Sequence, residues 1–327
     1  MKFWTLLVTF VCAASAASVP VNGLLMYYTF DSSSVIGGNQ IRDRSPYGFT
    51  ITSSGGIQLV NDRFGSPKSA LLMDGSYYFN RLMPDTTVAK MDAGDFSMGF
   101  VMQTTAPTTT MDGRMDIMGM GDPYNNGFFL SLNNNRIRIF LGNHGYYDSP
   151  DSVNDGIWHV VTAVRSQGNV SLYIDGELRD NGAYTNSITP IINYLVIGKH
   201  GTKNLTYYKG RLDDAFFYAR ALGPDEVLTL YRILSGITFT LTAPADTFGT
   251  GTKQSFAWRS LTNAIAYAIE VGTDSIFNKP SISVPLNDTS YTLSQPLSAG
   301  RYYMHIGANF DDRSPFFFGN PHTFVVR

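Results

Sequence analysis

Apolar and polar residues alternate along most of the chain. The segment Arg136–Gly142 shows this pattern cleanly, as a half-buried strand does. The run Asn133–Asn135 just before it is a turn signal, because asparagine tolerates positive φ. Asp175 and Gly176, between two further strand-like segments, predict a tight hairpin turn. Many short strands separated by Gly, Asn and Pro predict an all-β sandwich.

One segment departs from this alternation and predicts a short helix over Pro224–Ile233. Proline at a first-turn position costs the helix no hydrogen bond, because the N–H that it lacks would be unpaired there. Asp225 and Glu226 follow in the first turn, where the helix dipole favours negative charge. The helix comes soon after a predicted strand, Leu212–Tyr218.

The N-terminus predicts a secretory signal peptide over residues 1–17. Lys2 supplies the positive charge, Phe3–Val11 the apolar core and Ala14–Ala17 the small-residue cleavage region. The apolar run is too short to span a bilayer. Cys12 is the only cysteine, so the mature chain would have none. We expect a secreted, extracellular protein without membrane insertion.

Composition narrows the classes of partner. The formal net charge of the 327-residue chain is −2, and 15% of its residues are charged, compared with roughly 25% in average proteins. The sequence has no basic stripe, which argues against nucleic acid as a partner. Three Asn-x-Ser/Thr sequons predict N-glycosylation in a eukaryotic secretory pathway or arise by chance in such a composition; they begin at Asn169, Asn204 and Asn287.

Several strand-like segments follow one another in a characteristic order. They are Leu25–Asp31, Ile41–Gly48, Ala70–Phe79, Asp95–Phe100, Gly127–Leu132, Asp155–Val161, Val170–Gly176 and Leu195–Gly198, followed by the strand and helix of residues 210–231. Together they resemble the laminin-G-like and pentraxin-like jelly rolls of the concanavalin A-like lectin/glucanase superfamily. The resemblance covers about residues 22–233 and implies a jelly-roll sandwich over residues 18–234.

A second series of short strands begins beyond Ser235. The strand Ser255–Trp258 with its tryptophan, the strand Ala264–Val271 and the strand Gly300–Ile306 resemble those of fibronectin type III-like modules. The resemblance implies a second, Ig-like sandwich over residues 235–327, which would act as a spacer or self-associate.

The glutamates argue against an enzyme. Jelly-roll glucanases of this superfamily use two glutamates near each other on one strand. This chain has only Glu177, Glu226 and Glu270, which are predicted on a hairpin, on the helix and in the second domain. No two of them can share a cleft, so we expect no catalytic residues.

Aromatic residues in loops are the predicted ligand contacts. Trp158 and Trp258 occupy positions that are core in the resembled families, so tyrosine and histidine must provide any stacking of a sugar. Neighbouring polar groups would orient the ligand. The alternative is that these side chains only cover loop edges. The candidates are Tyr124, Asn125, Asn126, Asn143, His144, Tyr146, Tyr147 and Asp148.

Calcium is the predicted cofactor. The resemblance implies a structural calcium at the rim of a sheet, bound by Asp31, Asp74 and Asp213, with the Asp213 carboxylate turned toward the core. A carboxylate that faces a core must be paired or coordinated. The alternative is that Asp213 accepts backbone N–H groups or pairs with an arginine such as Arg42 or Arg220.

Three adjacent phenylalanines, Phe316, Phe317 and Phe318, predict an interface. A strand between two sheets buries alternate residues only, so three in a row cannot all face one core. The expected function is therefore a secreted, non-catalytic protein for carbohydrate binding or adhesion, whose partner is a glycan or a glycosylated protein. The alternative is a structural subunit of an extracellular coat, matrix or filament that self-associates. A degraded or unusual glycoside hydrolase comes third.

Overall fold

A computed structural model describes most of the chain beyond the predicted signal peptide, which lies outside the described residues. The described residues are 19–84, 94–108, 113–122, 126–142, 145–186, 188, 194–235, 239, 241–243, 247–261, 264–275, 277, 279–309, 316–319 and 321–327. Within them, no helix has the length and apolar character that crossing a membrane requires.

Short strands dominate the described residues up to 218, with one 3₁₀ turn at Ser32–Ser34. In chain order they are β1 (Leu24–Tyr28), β2 (Val35–Ile36), β3 (Gln40–Ile41), β4 (Ile51–Ser53), β5 (Leu59–Val60), β6 (Ala70–Asp74), β7 (Phe79–Leu82), β8 (Phe96–Gln103), β9 (Met115–Met120), β10 (Phe128–Asn133), β11 (Arg136–Leu141), β12 (Gly145–Ser152), β13 (Trp158–Ser166), β14 (Asn169–Ile174), β15 (Glu177–Ala183), β16 (Tyr194–Ile197) and β17 (Lys209–Tyr218).

These strands form two antiparallel sheets that enclose one core. The first sheet has the order β15-β14-β13-β8-β17-β6-β5, and β1 pairs with the end of β17. The second sheet has the order β12-β11-β10-β9-β16-β7-β4-β3-β2. Alternate residues of both sheets meet in the core, among them Phe96, Phe128 and Phe217, whose ring centroids lie 5.0–5.8 Å apart.

Two hairpin turns confirm the turn signals of the sequence. Asn134 and Asn135 have φ of 50° and 63°, and Asp175 and Gly176 have φ of 56° and 79°. Each pair forms a two-residue loop, between β10 and β11 and between β14 and β15. Positive φ at both loop residues matches the right-handed twist of the strands, which is why Asn, Asp and Gly occupy these positions.

Helix α1 (Pro224–Leu234) confirms the predicted helix and closes a second core on the outer side of the first sheet. Glu226 accepts a hydrogen bond from the Gly223 N–H at 3.0 Å, which caps the first turn. Val227, Leu230 and Leu234 are buried against outward residues of β8, β13 and β17. The helix therefore shields the face of the sheet that the jelly-roll core does not cover.

The described residues beyond the helix form two smaller sheets. Their strands are β18 (Leu241–Ala243), β19 (Thr247–Phe248), β20 (Ser255–Trp258), β21 (Ala266–Gly272), β22 (Ile282–Leu286), β23 (Ser290–Thr292), β24 (Gly300–Asn309), β25 (Phe317–Phe318) and β26 (His322–Val326). One sheet has the order β18-β20-β23 and the other β19-β26-β24-β21-β22, with β25 on β24. Trp258 is buried between them, as predicted.

Described side chains of the jelly roll reach the C-terminal sheets. Phe64, in the loop between β5 and β6, packs against the C-terminal core. Arg232 of helix α1 donates a hydrogen bond to the Ser275 carbonyl at 2.9 Å and lies 5.5 Å from the centroid of the Phe277 ring. The two sandwiches therefore abut through specific contacts.

Candidate functional site

The outer face of the second sheet carries polar and aromatic side chains opposite the apolar ones of the core. On β10 and β11, Leu130 and Ile139 point into the core, so their neighbours in sequence point outward. The outward positions of β9 to β12 form one continuous patch because these strands are adjacent. We call this patch, together with Arg114 just before β9, the Arg138 face; it consists of Arg114, Asp116, Phe129, Ser131, Arg138, Phe140, Tyr146 and Asp148. Arg114, Asp116, Phe129, Ser131 and Phe140 are buried, so Arg138, Tyr146 and Asp148 are the members that reach solvent.

A buried ion pair lies at the start of β9 within the Arg138 face. The Arg114 guanidinium contacts both carboxylate oxygens of Asp116, at 2.8 and 3.1 Å. The hydroxyls of Ser131 and Thr206 also donate to this carboxylate, at 2.6 and 2.8 Å. A buried ion pair is tolerated when further hydrogen bonds satisfy its lone pairs. These contacts fix the part of the face next to Phe140, whose ring centroid lies 5.1 Å from Arg114.

An exposed stack of a tyrosine and an arginine lies at the edge of the same face. The Arg138 guanidinium contacts both carboxylate oxygens of Asp148, at 2.5 and 2.6 Å. It also lies 3.9 Å from the centroid of the Tyr146 ring and 5.3 Å from that of Phe140. Tyr146 is 53% exposed. The stack thus presents a ring to solvent in an orientation fixed by a cation and its carboxylate partner.

Two basic side chains border the Arg138 face. The Lys199 amino group lies 4.5 Å from the centroid of the Tyr78 ring, and the His200 ring stacks on Phe129 at 6.4 Å. The Thr202 N–H donates to Nδ1 of His200 at 3.2 Å. Burial lowers the pKa of both Lys199 and His200. His200 is therefore neutral at neutral pH, with Nδ1 as acceptor.

This arrangement has the components of a sugar-recognition surface. An exposed aromatic ring offers an apolar face to the C–H groups of a pyranose. The guanidinium and carboxylate beside it offer donors and acceptors for hydroxyl groups in fixed positions. Binding sites of this kind combine apolar area with a small number of oriented polar groups.

Comparisons with known proteins bear on the fold of the larger sandwich. A model of the concanavalin A-like lectin/glucanases superfamily matches residues 82–228. The larger sandwich is a concanavalin A-like jelly roll. No curated protein sequence matches the chain. The predicted all-β, jelly-roll fold class is therefore confirmed for this part of the chain.

Solved structures share the fold at low sequence identity. The chain is similar to the binding domain of Paraclostridial Mosquitocidal Protein 1, with 15% identity and a TM-score of 0.51 over 87% of this chain and 64% of that one. It thus spans less than two thirds of that domain. It is also similar to the receptor binding domain of botulinum neurotoxin D, with 13% identity and a TM-score of 0.51 over 91% of this chain and 78% of that one.

A third structure is of botulinum neurotoxin type C, whose cell entry depends on interaction with two ganglioside molecules. The identity is 11% and the TM-score 0.51, over 91% of this chain and 78% of that one. At such identities the comparisons show a shared fold and carry no residue of a site across to this concanavalin A-like jelly roll.

The predicted ligand residues fall into four groups, one of which is Tyr147 alone. Tyr146 and Asp148 lie on the Arg138 face. Asn126 is half-buried and precedes β10. Tyr124, Asn125, Asn143 and His144 lie outside the described residues.

Tyr147 corrects the interpretation of residues 145–148 as a loop. These residues belong to β12, which pairs with β11 at the edge of the second sheet. Adjacent strand residues point to opposite faces, so Tyr146 faces outward and Tyr147 packs against the core. The hydroxyl of Tyr147 donates to the Ala183 carbonyl at 2.8 Å. Tyr147 is therefore a structural residue in this jelly roll and not a neighbour of Tyr146 in a site.

The three aspartates predicted to bind calcium have separate partners. Asp31 caps the 3₁₀ turn by accepting a hydrogen bond from the Ser34 N–H at 2.9 Å. Asp74 is exposed, accepts from Ser76 and lies opposite Lys209 at the start of β17. Asp213 lies four residues further along that strand, about 13 Å away. Among the described residues, no three His, Cys, Asp or Glu side chains are grouped so that they could hold a metal ion.

A β-bulge explains why the predicted inward orientation of the Asp213 carboxylate is wrong. The register of β17 against β8 shifts between Asp213 and Phe216, and Asp214 has φ of 47°. Leu212 and Ala215 therefore both face the jelly-roll core despite their odd spacing. The two carboxylates between them point outward, under the loop that carries Arg63.

Arg63 binds both aspartates of the bulge. Its guanidinium contacts Asp213 at 2.5 Å and Asp214 at 2.8 Å, and all three side chains are buried. The Tyr27 hydroxyl also donates to Asp214 at 2.6 Å. An arginine partner for Asp213 was one of the predicted alternatives, but the arginine is Arg63 and not Arg42 or Arg220.

Calcium binding stays a prediction that a melting experiment can test. A metal that binds only the native state raises the melting temperature (Tm) by mass action. The Tm is compared in chelator and in millimolar calcium, for the wild type and for Asp213→Asn. Because Arg63 already neutralises Asp213, we expect this variant to keep whatever calcium response the wild type shows. A response that is present in the wild type and lost in Asp213→Asn would restore Asp213 as a ligand.

The remaining predicted residues are placed as follows. Glu177, Glu226 and Glu270 lie on β15, α1 and β21, and each pairs with a different basic residue. Phe316 and Phe318 are half-buried, and Phe318 stacks on His305 at 4.3 Å. The side chain of Phe317 lies outside the described set, so an interface there stays a prediction. The sequon residues Asn169, Asn204 and Asn287 are exposed, as glycosylation requires.

Proposed function

We propose that this protein is an exported, non-catalytic glycan-binding protein and that the Arg138 face is its binding site. The observation that carries the proposal is the exposed Tyr146 ring, stacked on an arginine that Asp148 holds through two hydrogen bonds. A ring held in this way loses little conformational entropy when a ligand stacks on it, which favours affinity. The concanavalin A-like fold supports the proposal, since the structures it resembles include binding domains of toxins.

The distribution of carboxylates supports binding without hydrolysis. A glycosidase needs two carboxyl groups across one scissile bond. The three glutamates lie on separate elements, and Asp116 and Asp148 of the Arg138 face are both held by arginines.

We propose further that the C-terminal sheets form a fibronectin type III-like module. Three strands, β18, β20 and β23, form one sheet, and β21, β22, β24 and β26 form the body of the other. This division of strands and the buried Trp258 between the sheets are typical of Ig-like sandwiches. Such a module would space the jelly roll from an attachment point.

The proposal predicts that Tyr146→Ala weakens glycan binding about tenfold or more, as truncating an aromatic anchor does. A glycan array identifies the ligand, and titration calorimetry measures its affinity for the variant. Because Tyr146 is exposed, the free energy of unfolding of the variant should differ from that of the wild type by less than about 1 kcal/mol. Tyr47 is 55% exposed and lies elsewhere in the jelly roll, so Tyr47→Ala is the matched control and should bind normally.

A second substitution separates stacking from charge. Asp148→Asn removes the ionic partner of Arg138 and should weaken binding less than Tyr146→Ala. Unchanged affinity in both variants would move the site away from the Arg138 face. If the unmodified protein binds no glycan and instead assembles as its concentration rises, the structural-subunit alternative is the better one.

A further inference from the structure

A second concave surface lies on the outer side of the first sheet, away from the Arg138 face. Its floor is a row of three outward side chains on adjacent strands: Leu72 on β6, Arg211 on β17 and Gln103 on β8. The segment 104–106 and Gly156 form one wall, and Lys209 closes the end. The cleft has a volume of about 470 Å³, which falls within the range of small-ligand sites. We call it the Arg211 cleft.

The charge of the Arg211 cleft is positive and not compensated. Among the described residues, neither Lys209 nor Arg211 forms an ion pair, and no carboxylate lines the cleft. The nearest acidic residue in register is Asp74, opposite Lys209, and its carboxylate accepts both the N–H and the hydroxyl of Ser76. Asp213, two residues beyond Arg211 on the same strand, is bound by Arg63.

The neutral polar groups of the cleft are held in place by the backbone. The Gln103 amide nitrogen donates to the Gly156 carbonyl at 2.8 Å, which fixes the orientation of the side chain. The Thr104 hydroxyl donates to the Lys209 carbonyl at 2.6 Å and accepts from the Ala106 N–H at 3.0 Å. The wall is thus tied to the strand that carries both cations. A rigid wall with oriented amide groups lowers the entropy lost on binding.

We propose that the Arg211 cleft binds an anionic group, either a carboxylate or a sulfate; that a sugar carries this group rests on the proposed glycan-binding function. A guanidinium presents paired N–H donors that match the two oxygens of such a group. Arg211 is half-buried, so part of its hydration is already lost and a ligand has less water to displace from it. Lys209 would add a second, less directional contact. This site is separate from the proposed glycan site, since it lies on the opposite sheet.

Three oligosaccharide probes test the proposal by titration calorimetry. They are an oligogalacturonate, which carries carboxylates, a sulfated galactan oligomer and an uncharged galactan oligomer of the same length. We expect the wild type to bind at least one acidic probe more tightly than the neutral one. Arg211→Ala should weaken that binding about tenfold or more, the size expected for a lost charge-assisted hydrogen bond. The preferred acidic probe tells a carboxylate ligand from a sulfate ligand.

Two further variants keep the experiment decisive. Arg211→Lys retains the charge but not the paired donors, so its affinity should fall between those of the wild type and Arg211→Ala. Lys253→Ala removes one exposed cation of the C-terminal sheets and should leave binding unchanged. Tyr146→Ala should also leave acidic-probe binding intact, which separates this site from the Arg138 face. Equal affinity of wild type and Arg211→Ala, or no binding of either acidic probe by the wild type, would overturn the proposal.

Discussion

Replacing Arg63 by methionine should lower the free energy of unfolding by about 3–5 kcal/mol, although it preserves most of the side-chain volume. Asp213 and Asp214 would keep their buried position and lose the cation that contacts both of them. Removing one partner of a buried ion pair costs this much because it leaves an uncompensated buried charge. Urea-induced unfolding of the variant and the wild type at neutral pH measures the difference.

The loss of stability in Arg63→Met should depend on pH in a defined direction. Burial raises the pKa of Asp213, the neighbouring Asp214 carboxylate raises it further, and Arg63 opposes both. Without Arg63 the native state would favour protonated carboxyl groups more strongly than the unfolded chain does. A carboxyl group whose pKa is raised by folding stabilises the native state at pH values below the ordinary carboxyl pKa of about 4. This stabilisation is lost as the pH rises through the raised pKa. The deficit of Arg63→Met should therefore shrink as the pH falls from 7 toward 4.

Arg44 provides the control for a surface pair. Its guanidinium lies 3.7 Å from Asp31, and about a third of each side chain is exposed. Such pairs contribute between about 0 and 1 kcal/mol, so Arg44→Met should unfold nearly as the wild type does. An Arg63→Met variant of normal stability, or one whose deficit is the same at every pH, would mean that water or rearrangement relieves the buried carboxylates.

Replacing Trp158 by alanine should destabilise the jelly roll by about 3–5 kcal/mol, as loss of a buried tryptophan does. Trp158 is 6% exposed and lies in the second core, on the side of β13 that faces helix α1. The substitution would leave a cavity beside the valines of β13 and the apolar face of the helix. Chemical unfolding measures the loss, and Tyr47→Ala serves as the exposed aromatic control. Near-normal stability combined with lost binding would instead identify Trp158 as a ligand contact.

Sequence patterns predicted the elements whose conformation is determined by residues within the element itself. The hairpin turn at Asp175 and Gly176 depends on residues that tolerate positive φ, and the helix at Pro224 depends on its own first turn. Alternation in Arg136–Leu141 likewise depends on the strand alone. For these elements, the physical cause lies within a few residues of the pattern.

The structure differs from the predictions where a tertiary contact determines the local geometry. The resemblance placed Asp213 toward the core, but the bulge at Asp214 turns both carboxylates to Arg63, a residue 150 positions away in the chain. Tyr146 and Tyr147 were interpreted as loop residues, but they belong to β12, which also contains Pro150. Proline is tolerated on an edge strand, and β12 is such a strand.

The Arg138 face was only partly visible in the sequence. Tyr146 and Asp148 were predicted as ligand contacts, but Arg138, which contacts both, was interpreted only as the polar position of an alternating strand. Its pairing with Asp148 depends on the register of β11 against β12, which the sequence does not specify. Applying alternation to both strands would have placed all three side chains on one face. Arg114 and Asp116 could have been recognised by the same step, because they alternate in sequence with Met115 and Ile117, which face the jelly-roll core.

The contacts made by Arg63, Phe64 and Arg232 limit which other modules could replace the C-terminal sheets in a chimeric protein. Consecutive residues of one loop serve different sandwiches: Arg63 neutralises the bulge of the jelly roll, and Phe64 fills a place in the C-terminal core. Arg232 adds a hydrogen bond to Ser275 from the helix that closes the second core. A foreign module attached after the helix would have to supply an apolar socket for Phe64 and an acceptor for Arg232. Compatibility at this junction, more than linker length, would therefore limit which modules can be exchanged.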